Sequence, residues 1–134
     1  MIDFQLIEPD NEIYAELSGR FEAYNMGQST WNWQSFCFVL KDGARITAGG
    51  RGIVNMGALE VRGLWVDEEL RGTGLGGALL KAIEDEARRR GARKVMLYTY
   101  SWQAENFYLR RGYEVFARFQ YPDGPERIDM EKPL

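Results

Sequence analysis

The chain of 134 residues predicts an α/β fold: a mixed, mostly antiparallel central sheet flanked by helices, with one βαβ unit. Three observations predict it. Apolar stretches separated by turn residues across positions 36–66 read as three successive strands. Residues 74–90 carry a strongly amphipathic helical pattern opened by a glycine-rich run. An apolar stretch at 94–100 follows that helix, and strand–helix–strand order implies a parallel, right-handed crossover.

The elements follow in order. Residues 4–7 read as a short first strand. Pro9-Asp10-Asn11 opens a helix over 12–27, with Ile13, Leu17, Phe21 and Tyr24 as its apolar positions and Ser18-Gly19 as an expected break. Residues 29–35 carry Trp31 and Trp33 among polar neighbours and read as a loop or a short helix. Strands at 36–41 and 45–54 meet at Asp42-Gly43, a hairpin turn. Gly49-Gly50 marks a bulge or a close backbone approach. Asn55-Met56-Gly57 turns the chain into a strand at 58–66. In the helix over 74–90, Leu75, Leu79, Ile83 and Ala87 recur at spacing four. Glu84 with Arg88, Asp85 with Arg89 and Glu86 with Arg90 pair on the wet side, and Gly91 ends the helix. Residues 103–110 form a short helix. Strands at 113–120 and 127–132 close the sheet around Pro122-Asp123-Gly124-Pro125.

Composition narrows the function. The length suits a single domain, residues 1–134, and 45% apolar with 28% charged residues indicates a packed globule. A net charge of -3 argues for neither nucleic acid nor an anionic membrane as partner. The longest wholly apolar run is residues 36–40, far short of a membrane span. No basic segment followed by an apolar stretch opens the chain, and Cys37 has no internal disulfide partner, so a cytoplasmic location is expected. The chain has no histidine. That excludes Ser-His and Cys-His catalytic pairs and the usual zinc sites, and no metal is expected. Acid–base work must fall to Glu, Asp, Tyr, Lys, Cys, a terminus or water.

The motif with chemistry in it is Arg71-Gly72-Thr73-Gly74-Leu75-Gly76-Gly77, between a strand and a helix start. Glycines let the backbone turn tightly and aim N–H groups into one space. A helix start adds unpaired N–H groups and partial positive charge, which makes an anion site suited to phosphate or pyrophosphate. No acidic residue lies between positions 72 and 80. A Walker loop needs Gly-Lys-Ser/Thr, whereas here Gly76-Gly77 precedes Ala78. Gly72, Gly74 and Gly77 satisfy G-x-G-x-x-G. However, residues 67–70 separate them from the strand, and the strand ending Tyr98-Thr99-Tyr100 offers no acid for a ribose.

Residues 64–76, Leu-Trp-Val-Asp-Glu-Glu-Leu-Arg-Gly-Thr-Gly-Leu-Gly, resemble the signature of the GNAT N-acetyltransferase superfamily. Arg71, Gly74 and Gly76 fill its Arg/Gln-x-x-Gly-x-Gly/Ala positions. The run from Ala104 through Tyr108 and Gly112 to Tyr113 resembles the family's Ala-x-x-x-Tyr-x-x-x-Gly-Phe element, with Ser101 where many members carry asparagine. The resemblance makes the βαβ unit an acyl-CoA-binding unit and implies an acetyltransferase. It would move the acetyl group of acetyl-CoA, a co-substrate, to a primary amine by direct attack through a tetrahedral intermediate. The acceptor is expected to be a small molecule, and exposed strand edges suit a homodimer. A catalytically idle acyl-CoA-binding module is the alternative.

The resemblance also implies roles. Coenzyme contacts fall to Leu64, Val66, Arg71, Gly72, Gly74, Gly76 and Gly77. The N–H of Leu64 or Val66 would hold the thioester oxygen, and Val66 would pair with the pantetheine arm like an added strand. Tyr108 is the candidate general acid for the leaving thiolate; the alternative is ordinary packing beside Phe107 and Leu109. Glu60 is the candidate base, acting through water. Strand alternation would put Glu60, Arg62, Leu64 and Val66 on one face. The alternative for Glu60 is a solvated carboxylate paired with Arg62. Tyr24, Trp31 and Trp33 lie where the family binds acceptors; core packing is their alternative. Cys37 reads as a packing residue in a buried strand.

Overall fold

In the computed structural model, which describes residues 1–28 and 30–134, turn chemistry organises the first strands. Strand β1 (Gln34–Asp42) and strand β2 (Arg45–Asn55) meet at Gly43, whose φ of 62° is easily reached by glycine. Strand β3 (Ala58–Val66) follows the turn at Met56-Gly57. A 3₁₀ turn at Glu68–Leu70 leads to the glycine loop and helix α2 (Leu75–Arg89). Strand β4 (Lys94–Tyr100), helix α3 (Glu105–Leu109), strand β5 (Glu114–Gln120) and strand β6 (Glu126–Pro133) complete the order. The six-stranded sheet runs β1-β2-β3-β4-β6-β5. Only the β3–β4 neighbours are parallel, as the βαβ crossover requires.

These elements form one compact unit, Trp33–Leu134. Its core joins Leu80, Ile83 and Ala87 of α2 to Val54, Leu59, Val61, Val95, Leu97, Ile128 and Met130 of the sheet. Each fully buried Val, Leu, Ile or Met side chain contributes about 1.5–3 kcal/mol. Gly50 allows α2 to seat. A Cβ there would lie 2.6 Å from Ile83 Cδ1 and 2.7 Å from Leu64 Cδ2, so this glycine marks the close approach expected of the Gly49-Gly50 pair. Glu84 of α2 is buried and accepts hydrogen bonds from the Tyr113 hydroxyl at 2.7 Å and Lys132 Nζ at 2.9 Å, tying the helix to β6. Cys37 is exposed, contrary to expectation. Its neighbour Phe36 packs on the core, so alternation turns Cys37 to the other face.

The second compact unit is Met1–Asn32. Helix α1 (Glu12–Met26) starts where the Asn11 side chain accepts the Ile13 N–H at 2.8 Å. It runs unbroken through Ser18-Gly19, since one interior glycine costs a helix only about 1 kcal/mol relative to alanine. Residues 4–7 do not form the expected strand. A strand needs a partner edge for its backbone groups, and the described residues of this unit hold no second strand. Of the stretch 29–35, read as loop or short helix, Ser29 lies outside the described residues, and 30–33 carry no helix.

Candidate active site

The site begins with two strands parting. Parallel pairing joins residues 58–60 of β3 to residues 94–96 of β4 and stops there. Beyond it, β3 stays bonded to β2 as far as Val66, and β4 to β6 as far as Tyr100. The facing edges of β3 and β4 therefore open a wedge with backbone groups that no ladder uses. An extended ligand can join such an edge as an added strand.

The glycine loop closes the wide end of the wedge. Arg71 Nε donates to the Val66 carbonyl at 2.9 Å, and Thr73 Oγ1 donates to the Leu70 carbonyl at 2.6 Å. Gly74 turns at φ 86°, the left-handed region where a side chain is strained. No side chain caps α2 at this end, and its first backbone bond runs from Ala78 N to the Gly74 carbonyl. The first-turn N–H groups are thus directed outward with the positive end of the helix dipole. A Cβ on Gly76 would sit 3.3 Å from the Phe107 ring, and one on Gly77 would sit 2.7 Å from Arg111 Nη2. Small residues here let α3 and its flank approach the loop.

Leu64, Val66, Arg71, Gly72, Gly74, Gly76 and Gly77, the residues expected to hold the coenzyme, all line one cavity of about 380 Å³. Arg110 and Arg111 join them, which the sequence did not reveal because they lie far along the chain from the glycine loop and meet it only in the fold. Arg111 lies over the Phe107 ring at 3.7 Å and donates to the Phe107 carbonyl at 2.9 Å. The walls of this cavity hold arginines and no carboxylate, the donor set a polyanion requires.

Tyr108 is buried at 8% exposure, its ring edge-on to Phe107 at 5.0 Å and to Tyr113 at 5.5 Å. It lines this cavity and a second one of about 720 Å³. Burial pushes its phenol up to about 12, against a smaller opposing effect of Arg111, so it keeps its proton at neutral pH. The second cavity shares Leu64, Val66, Arg71, Ala104 and Tyr108 with the first and adds Arg62, Trp65 and the aromatic end of β4.

The expected common face of Glu60, Arg62, Leu64 and Val66 does not form. The β2–β3 register steps from Arg51↔Gly63 to Gly52↔Val61, leaving Arg62 as the extra residue of a bulge. Leu59 and Val61 face the core before the bulge, and Leu64 packs against it afterwards. The side chains of Glu60 and Leu64 are therefore on opposite faces. Arg62 Nη1 donates to Glu60 Oε1 at 3.2 Å, and Glu60 lines neither cavity. Trp33 donates through Nε1 to Ser35 Oγ at 3.0 Å and also lines neither. Tyr24 and Trp31 belong to the other unit.

Val66 at the end of the parted strand β3, the uncapped glycine-rich start of α2 and the buried Tyr108 come together around one cavity. The chain belongs to the GNAT acetyltransferase family: the model of the Acetyltransferase (GNAT) family matches residues 5–113. It is 41% identical over 80 residues to blasticidin-S acetyltransferase of Streptomyces morookaense, a match covering 58% of this chain and 59% of that protein. It is 37% identical over 92 residues to IAA acetyltransferase of Azospirillum brasilense, covering 66% and 55%. The chain thus spans between half and three fifths of these relatives. A crystal structure of an acetyltransferase from Bacillus cereus ATCC 14579 matches with a TM-score of 0.82 and 30% identity, covering 97% of this chain and 98% of that one. The mixed sheet flanked by helices is the fold of these enzymes.

Proposed function

We propose that residues 1–134 act as one cytoplasmic N-acetyltransferase domain that moves the acetyl group of acetyl-CoA to a primary amine of a small molecule. The observation that carries this reading is the wedge between β3 and β4, bounded by the glycine loop at one side and Tyr108 at the other. The names of the blasticidin-S and IAA relatives support a small acceptor. In this reading the first-turn amides of α2, with Arg71 and Arg110, hold the pyrophosphate. Val66 pairs with the pantetheine arm, and the N–H of Leu64 or Val66 holds the thioester oxygen.

The amine lone pair attacks the thioester carbonyl carbon, forming a C–N bond. Collapse of the tetrahedral species breaks the C–S bond. The amine's excess proton passes to water or, through water, to Glu60. The sulfur takes a proton from Tyr108, which recovers one from solvent. Calorimetric titration with acetyl-CoA tests this reading. Wild type is expected to bind at micromolar concentration and Gly74→Glu to lose binding, because a carboxylate then occupies the anion site. Absence of binding by wild type overturns the reading. Turnover with an amine separates an enzyme from a binding module.

A further inference from the structure

The second cavity is large enough for a drug-sized molecule and has an unusual wall. Its aromatic residues include Trp65, Tyr98, Tyr100 and Trp102, whereas its charged residues are Arg62 and Arg71, with no carboxylate. Part of this ring surface is open to solvent, although the Arg127 guanidinium lies over the Tyr98 ring at 3.9 Å. Trp102 is 65% exposed and Tyr98 is 41% exposed.

Exposed though it is, Trp102 is held in place. Its ring stacks on Tyr100 with centroids 4.6 Å apart and planes 2° from parallel, and Tyr98 meets Tyr100 edge-on at 5.8 Å. The loop beneath is pinned. Gln103 Oε1 accepts the Tyr100 N–H at 3.0 Å, Ala104 N–H donates to Thr99 Oγ1 at 3.2 Å, and Glu126 N–H donates to Ser101 Oγ at 3.0 Å. A rigid, solvent-facing aromatic ladder costs little further ordering when a flat ring settles on it.

Arg62 supplies the second half. The bulge takes it out of the strand alternation, and its one hydrogen bond among the described residues, to Glu60, leaves most of its five donors for a ligand. Arg71 donates to the Val66 carbonyl, lies over the Trp65 ring at 5.1 Å and in the acetyltransferase reading holds the pyrophosphate, so Arg62 is the cation left for an acceptor. A wall with arginines and no acid repels a polycation and attracts a carboxylate.

Resting on the acetyltransferase reading, we propose that the acceptor is an amine on a planar aromatic scaffold that also carries a carboxylate, as aromatic amino acids do. The ring lies against Trp102, the carboxylate meets Arg62, and the amine reaches the thioester where the two cavities share Leu64, Val66 and Tyr108. The amine nitrogen gains the acetyl group and loses a proton, and the coenzyme leaves as the thiol.

The test is steady-state acetylation of tryptophan, tryptophanamide and spermidine by the full chain, beside calorimetric titration with acetyl-CoA. Tryptophan is expected to have the highest kcat/KM, with the amide roughly tenfold lower and spermidine lower still. Trp102→Ala should raise KM for tryptophan by about tenfold while acetyl-CoA affinity holds. Arg62→Gln should erase the preference for the acid over its amide. Equal or better turnover of spermidine, or an unchanged KM in Trp102→Ala, overturns the proposal. So does intact acetyl-CoA binding without turnover of either aromatic amine. Failure of wild type to bind acetyl-CoA sinks the acetyltransferase reading instead, and this inference falls with it.

Discussion

Tyr108 sits in the wall between the two cavities with its ring buried, and both facts have measurable consequences. If it protonates the leaving sulfur, Tyr108→Phe should lower kcat by about a hundredfold or more and leave acetyl-CoA affinity nearly unchanged, by steady-state kinetics and calorimetry. Its pKa is raised from 10.0 to about 12 by burial, so the folded state favours the protonated phenol. That contribution to stability is complete below pH 10 and is lost as pH rises from about 10 towards about 12. Urea midpoints across that range should therefore fall less steeply in Tyr108→Phe than in wild type. Gly50 allows a second residue-scale prediction. A methyl group there would lie 2.6 Å from Ile83 and 3.1 Å from the Gly63 carbonyl, so Gly50→Ala should cost about 1–3 kcal/mol in urea denaturation. Gly49-Gly50 was legible in the sequence as a close approach or a bulge. Which of these it was depended on the helix above, which no local pattern reveals.

At the scale of elements, α2 is held by its apolar face and by one polar anchor. The Glu84 carboxylate bonds both Tyr113 and Lys132, and burial followed by the Glu84 bond raises the Tyr113 phenol well above its ordinary value. Glu84→Ala leaves Lys132, only 20% exposed, without its carboxylate. The expected loss is about 3 kcal/mol, read from urea denaturation. Strands β3 and β4 were legible residue for residue, because turns and the amphipathic helix bracket them. The β3 bulge was not. It is a mismatch in pairing with β2, visible only when Gly52 is seen opposite Val61. Strict alternation therefore placed Glu60 with Leu64, and the bulge separates them. Likewise residues 4–7 have strand-like sequence and no strand, because pairing is a property of two segments.

For the molecule as a whole, ligand linkage offers the broadest check. At a hundred times its Kd, acetyl-CoA should stabilise the folded chain by about 2.7 kcal/mol, raising Tm by roughly 10 °C. Differential scanning calorimetry should show this shift in wild type and its absence in Gly74→Glu.

The sequence by itself determined the α/β class, the crossover and the glycine-rich loop at the start of a helix. These rest on periodicity, turn residues and a helix start, which are local and survive in one dimension. Only the tertiary structure decided that β3 and β4 part after residue 60, that Arg110 and Arg111 line the loop's cavity, and that Tyr98 and Trp102 wall a second one. Each of these depends on which distant segments lie side by side, and burial and pairing set that jointly across the whole sheet.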